Sequence, residues 1–167
     1  MAEKIYTLGL EKIEMGEVGT DGGMGTTLAQ IGYTYEDTCT LTTEDPTDTE
    51  FYVEELDDPV AVISKQGKTT FSFSLANPSA DTLKELMGGT VNSSTGAWEA
   101  PTKLPTIEKS VKITPTQGFV ITVPRMKIVA KFNANFSKTN MTLVEVTGTV
   151  LTPTKDGEPK MTATPKA

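Results

Sequence analysis

The sequence predicts a mainly β fold: a β-sandwich or half-barrel of two packed antiparallel sheets with one short flanking α-helix. Three observations carry this expectation: strict apolar/polar alternation in several segments, abundant strand-favouring residues, and a single helical signal. The clearest alternation runs over 125–136. There Met126, Ile128, Ala130, Phe132, Ala134 and Phe136 fall on one face, while Arg125, Lys127, Lys131, Asn133 and Asn135 fall on the other. A period of two marks a strand that covers a core on one side and meets water or a partner on the other. Phe71, Phe73 and Leu75 alternate in the same way with Thr70, Ser72 and Ser74. Val144, Val146 and Val150 form a third series, in which Gly148 leaves a gap read as a bulge.

Threonine fills roughly one position in six, and with Val, Ile, Phe and Tyr it biases the chain toward strands. Weaker strands are expected over 5–12, 33–41, 50–54, 60–64, 110–114 and 119–123. Pro124 cannot donate to a ladder, so it is expected at a bend or an edge. The helix is expected over 78–87, with Asn77 as N-cap, Pro78 at the first helical position and Asp81 in the first turn. Ala80, Leu83, Leu86 and Met87 give it a narrow apolar stripe, and Gly88-Gly89 ends it. Three segments read as irregular: a flexible glycine-rich run at 17–27, a Pro/Gly-containing stretch around Trp98 at 90–105, and the polar end at 152–167. The organisation expected is one β-rich domain over 1–151 and a polar C-terminal arm or tail over 152–167.

The 167 residues suit a single core. With 37% hydrophobic and 22% charged residues, the chain is too apolar for disorder. A net charge of −7 argues against tight nucleic-acid binding. Histidine is absent, which removes the usual proton carrier near neutral pH and the commonest metal ligand. Cys39 is the one cysteine, so no intrachain disulfide forms, and it reads as a small buried hydrophobe. The start, Met1-Ala2-Glu3-Lys4-Ile5-Tyr6, lacks the features of a secretory signal, and no apolar stretch has the length of a membrane span. The expectation is a protein made in a cytoplasm, or built into something assembled there.

No motif in the chain points to catalysis. Gly22-Gly23-Met24-Gly25-Thr26-Thr27 lacks the Gly-Lys-Ser/Thr ending of a phosphate loop and does not match the dinucleotide fingerprint. The carboxylates Glu44, Asp45, Asp48, Glu50, Glu54, Glu55, Asp57 and Asp58 are the densest charge cluster, but they lack the Asp/Asn series and central glycine of a calcium loop. Paired acids for glycoside hydrolysis fit no better. No cofactor is expected, and the chain reads as a non-enzyme. A solvated hairpin, or an acidic surface that meets another subunit, accounts for the cluster. Arg125, Lys127 and Lys131 gather on one strand face that could meet the acidic hairpin of a neighbouring copy. Complementary patches on one chain favour head-to-tail association, which closes into rings or continues into filaments. Trp98 reads either as an interface anchor or as a lid on the end of the core. The inter-subunit contacts expected are therefore Glu44, Asp45, Glu54, Glu55, Asp57, Asp58, Arg125, Lys127, Lys131 and Trp98.

Several stretches, taken in order, resemble the major tail tube proteins of long-tailed, siphovirus-type bacteriophages with non-contractile tails. They are Asp21-Gly22-Gly23-Met24-Gly25, Thr43-Glu44-Asp45-Pro46, Asp57-Asp58-Pro59, Lys68-Thr69-Thr70-Phe71, and Asn77-Pro78 leading into Asp81-Thr82-Leu83. Gly88-Gly89-Thr90-Val91 and Glu145-Val146-Thr147-Gly148-Thr149-Val150 complete the series. The resemblance implies a structural virion protein that polymerises as stacked hexameric rings into the tail tube, the channel for DNA. It further implies tape-measure, tail-tip and terminator proteins as partners, DNA only in transit, no membrane, and assembly in the bacterial host cytoplasm. Long loops and terminal arms would bridge rings; here these are the 41–58 excursion, the N-terminal segment and 152–167. The alternatives are the tube protein of a contractile tail or secretion apparatus, and a non-enzymatic β-sandwich that recognises carbohydrate or protein.

Overall fold

A computed structural model describes residues 2–167. It contains β1 (Lys12–Glu17), β2 (Ala29–Gln30), β3 (Thr40–Thr43), β4 (Thr47–Phe51), β5 (Ala61–Lys65), β6 (Thr69–Leu75), α1 (Ala80–Met87), β7 (Thr90–Val91), β8 (Trp98–Glu99), β9 (Ile107–Thr114), β10 (Phe119–Asn133), β11 (Leu143–Val150) and β12 (Thr162–Pro165). The fold is mainly β, with antiparallel sheets and a single short helix among the described residues, as the alternation predicts.

The main sheet is one continuous ladder in the order β2-β1-β9-β10-β11-β6-β3, with β12 added to β10. Its two ends are joined through the segment 29–35. Ala29 and Gln30 pair with β1, and the Ile31 amide donates to the Ile13 carbonyl at 3.3 Å. A few residues on, the Ala76 amide donates to the Tyr33 carbonyl and the Tyr35 amide to the Ser74 carbonyl, both at 2.8 Å. One strand-like segment thus bonds β1 with its first half and β6 with its second. The layers of the half-barrel curl toward each other along this seam, which leaves fewer open edges for unwanted pairing.

The inward face of the curl is the core: Ile13 and Met15 from β1, Phe71, Phe73 and Leu75 from β6, Val111 and Ile113 from β9, Val123, Met126 and Ile128 from β10, and Val144 and Val146 from β11. Phe71 and Phe73 stack obliquely with centroids 5.1 Å apart. The helix lays Leu86, fully buried, against this core, with Leu83 and Met87 at its margin. Pro124 sits in the register shift of β10 between Val123 and Met126, the bend its missing N–H requires. Ser110, wholly buried, donates to the Pro124 carbonyl at 2.7 Å and accepts from the Gly25 amide at 2.8 Å.

Several local expectations are corrected. The helix N-cap is Ser79, whose hydroxyl accepts from the Thr82 amide at 3.1 Å, and the helix begins at Ala80. Asn77 is engaged elsewhere: its carboxamide oxygen accepts from the Tyr33 amide at 2.6 Å. Gly148 marks no bulge, because β11 pairs in unbroken register with both β10 and β6. The glycine-rich run is an ordered turn: Gly22 donates to the Gly19 carbonyl, Gly19 to the Gly23 carbonyl, and the Asp21 carboxylate accepts from the Gly23 amide. The apolar series of β10 outlasts the core. Met126 and Ile128 are buried, but Phe132 is half-exposed and Phe136 stands in solvent. The polar C-terminal segment ends in β12, which pairs with β10 from Phe119 to Thr122.

Candidate functional site: an exposed arm and the outer face of the barrel

Between β3 and β6 the chain leaves the barrel as a hairpin, β4–β5, paired from Thr47↔Lys65 to Phe51↔Ala61. Every residue from 42 to 66 is exposed, and β4 and β5 pack chiefly on each other. The register assigns its two faces. Thr47, Thr49 and Phe51 share one with Ala61, Ile63 and Lys65; Asp48 and Glu50 share the other with Val62 and Ser64. One side is therefore led by Phe51 and Ile63, 47% and 61% exposed, and the opposite side is acidic. Tyr52, Val53, Leu56 and Val60 add apolar surface toward the tip.

All six carboxylates proposed from sequence as contacts lie on this arm and are exposed. Glu44, at its root, faces Lys68 at 3.7 Å. Asp45, Glu54, Glu55, Asp57 and Asp58 have no ion-pair partner among the described residues. Sequence reasoning weighed the acids and passed over the apolar side chains. The signal was present in the odd-numbered positions of β4 and β5, but it emerges only once the two strands are set in register.

The basic strand face is mostly compensated from within. The Arg125 guanidinium grips the Glu108 carboxylate with two hydrogen bonds of 2.9 Å and donates to the Thr152 carbonyl at 3.0 Å. That grip holds the Glu108 carboxyl below the usual carboxylate range and raises the guanidinium further. Lys131 faces Glu145 at 3.3 Å across β11. Lys127 alone of the three lacks an ion-pair partner within 4 Å among the described residues. The outward face that carries them continues over Thr147 and Thr149 of β11 to Ser72 and Ser74 of β6, a polar surface close to neutral.

Trp98 is not on that face. It belongs to β8, half-buried, and donates its indole N–H to the Gly88 carbonyl at 2.9 Å. Its ring lies 5.9 Å from that of Phe132, which has the parity of Met126 and Ile128. The structure thus brings the acids together on the arm, leaves the bases on the sheet, and separates Trp98 from both.

A second feature escaped the sequence reading. The seam segment, the N-terminal segment and the start of β10 enclose a groove of about 620 Å³, floored by Leu10, Cys39, Ile113, Phe119 and Ile121. Burial pushes the Cys39 thiol up. Among the described residues, no cluster of His, Cys, Asp or Glu is arranged to hold a metal ion, and no helix is long and apolar enough to cross a membrane. No family model and no curated protein matches the chain.

Proposed function

We propose that this chain is a self-assembling structural subunit, the tube-forming protein of a long-tailed phage tail, polymerising as stacked rings around a channel for DNA. The observation that carries the reading is the arm. A two-stranded hairpin alone is marginal in water. This one has the alternation of a strand pair with an apolar side to bury, yet its own chain offers that side no cover. A second copy is the partner the polymerising reading supplies. Burying the exposed parts of Phe51 and Ile63 there would contribute about 1–1.5 kcal/mol each.

Other features are consistent with this role. The sequence stretches named above carry the family resemblance. The net charge of −7 suits a conduit that must not hold the phosphates it passes. The compensation of Arg125 by Glu108 and of Lys131 by Glu145 lifts the electrostatic objection to turning the outer sheet face toward such a channel. On this reading the partners are further copies, then tape-measure, tail-tip and terminator proteins; the setting is the virion tail, with no catalysis.

Negative-stain electron microscopy of the concentrated protein, beside its light-scattering mass, tests the proposal. Rings or hollow tubes support it. A monomer at every concentration contradicts it and favours a binding module.

A further inference from the structure

Beyond the arm, the described residues form an apolar groove, and the turn after β10 carries a highly exposed aromatic ring; the floor of the groove and this turn lie at opposite ends of β10. The groove is floored where β10 begins, at Phe119 and Ile121. The turn 134–142 follows the other end of β10 at Asn133 and carries Phe136, 90% exposed. Fourteen residue steps of extended chain separate Phe119 from Asn133, roughly 45 Å at about 3.3 Å per step. The Phe136 ring therefore does not lie on the Phe119–Ile121 floor of its own chain, but it can reach that floor in a neighbour shifted along the strand direction.

Charge selects the occupant. Of the four charged side chains in the groove wall, Glu11 is held by Lys166 and Lys12 by Glu14. Glu36 and Asp37 have no ion-pair partner among the described residues, so the mouth is acidic. The arm between Glu44 and Lys68, with eight carboxylates against two lysines, would be repelled there. The turn 134–142 has a single charged residue, Lys138, and it is basic. It therefore offers an aromatic ring for the apolar floor and a cation for the rim.

We propose that the Phe136 turn of one copy seats in the groove of the next, with Lys138 facing Glu36 and Asp37. The contact rests on the self-assembly reading above. It is heterologous, since the two surfaces differ, and so it propagates from copy to copy instead of ending at a dimer.

Cys39 in the groove floor supplies a direct test. In F136C, mild oxidation of the assembled protein is expected to join position 136 of one copy to Cys39 of the next. A ladder of covalent dimers, trimers and higher species should result, and C39S/F136C should give no ladder. Independently, E36K and K138E should each lower the assembled fraction about tenfold at fixed concentration, and the E36K/K138E pair should restore it. L104A is a control, because Leu104 beside Lys103 is another highly exposed apolar side chain with a basic neighbour; it should leave assembly unchanged. Assembly without a ladder, a covalent dimer that persists in C39S/F136C, or charge variants that fail to rescue each other would overturn this contact while leaving self-assembly intact. A wild-type protein that never associates would overturn both.

Discussion

Met126 fills the space that a side chain at position 148 would need. A β-carbon built on Gly148 overlaps the Met126 sulphur and lies 2.7 Å from its Cγ. Met126 is fully buried, so its thioether can move only by repacking against its core neighbours. The gap in the valine series of β11 is thus the seat of a core residue from β10. G148V is expected to lower stability by about 2 kcal/mol, read as a drop in the urea midpoint. Shortening the opposing side chain in M126A/G148V should recover part of the loss. An unchanged midpoint in G148V would show that the core accepts the extra volume.

The seam depends on Asn77. Its side chain holds the Tyr33 amide, and Gly32, at φ +137°, lets the backbone approach that carboxamide closely. N77A should cost about 1–2 kcal/mol and speed hydrogen exchange at the amides of Tyr33 and Tyr35. Exchange as slow as in the wild type would mean that the barrel closes without this bond.

Asn77 also shows where the sequence stopped being legible. Before a proline and a helix it reads as an N-cap by every local rule, but a tertiary partner 44 residues away claims it, and Ser79 takes the cap. The strands and the core were legible because alternation is local: Met126, Ile128, Phe71 and Phe73 are inside, as their period requires. Alternation cannot say where the core ends, and so Phe132 and Phe136 were placed with it. The compensation of the charged face was not legible for a related reason. Glu108 and Glu145 neutralise Arg125 and Lys131 across neighbouring strands, and strand register is not written in either strand alone.

The Arg125–Glu108 pair predicts a pH effect. The folded-state carboxyl of Glu108 is held below its ordinary value, first by its hydrogen bonds to Arg125. A depressed carboxyl stabilises the fold fully above its unfolded value, about 4.3, and loses that contribution as pH falls through the folded value. E108Q should therefore be less stable than the wild type at pH 7, and the difference should shrink on acidification below about pH 4.3. Glu11 and Asp21 are depressed too, by Lys166 and by the Gly23 amide respectively, but they remain in both proteins and cancel in the comparison. Melting temperatures that fall in parallel from pH 7 to pH 3 would deny the pair this role.

The C-terminal strand should matter to the barrel. β12 covers the edge of β10 at four positions, and the Lys166 amide donates to the Gly118 carbonyl while its ammonium meets Glu11. Deleting residues 161–167 is expected to cost about 1–2 kcal/mol. An unaltered melting temperature would make β12 a passive tail.

Assembly turns on the arm. Thr43 and Thr69 are cross-strand partners with hydroxyls 3.0 Å apart, so a short turn can join β3 to β6 directly and leave the barrel whole. The decisive measurement is sedimentation velocity of the intact chain beside this armless variant at matched concentrations. The expected result is large assemblies for the intact protein and a folded monomer for the variant. Equal association of the two, or a monomeric intact chain at every concentration, would contradict it.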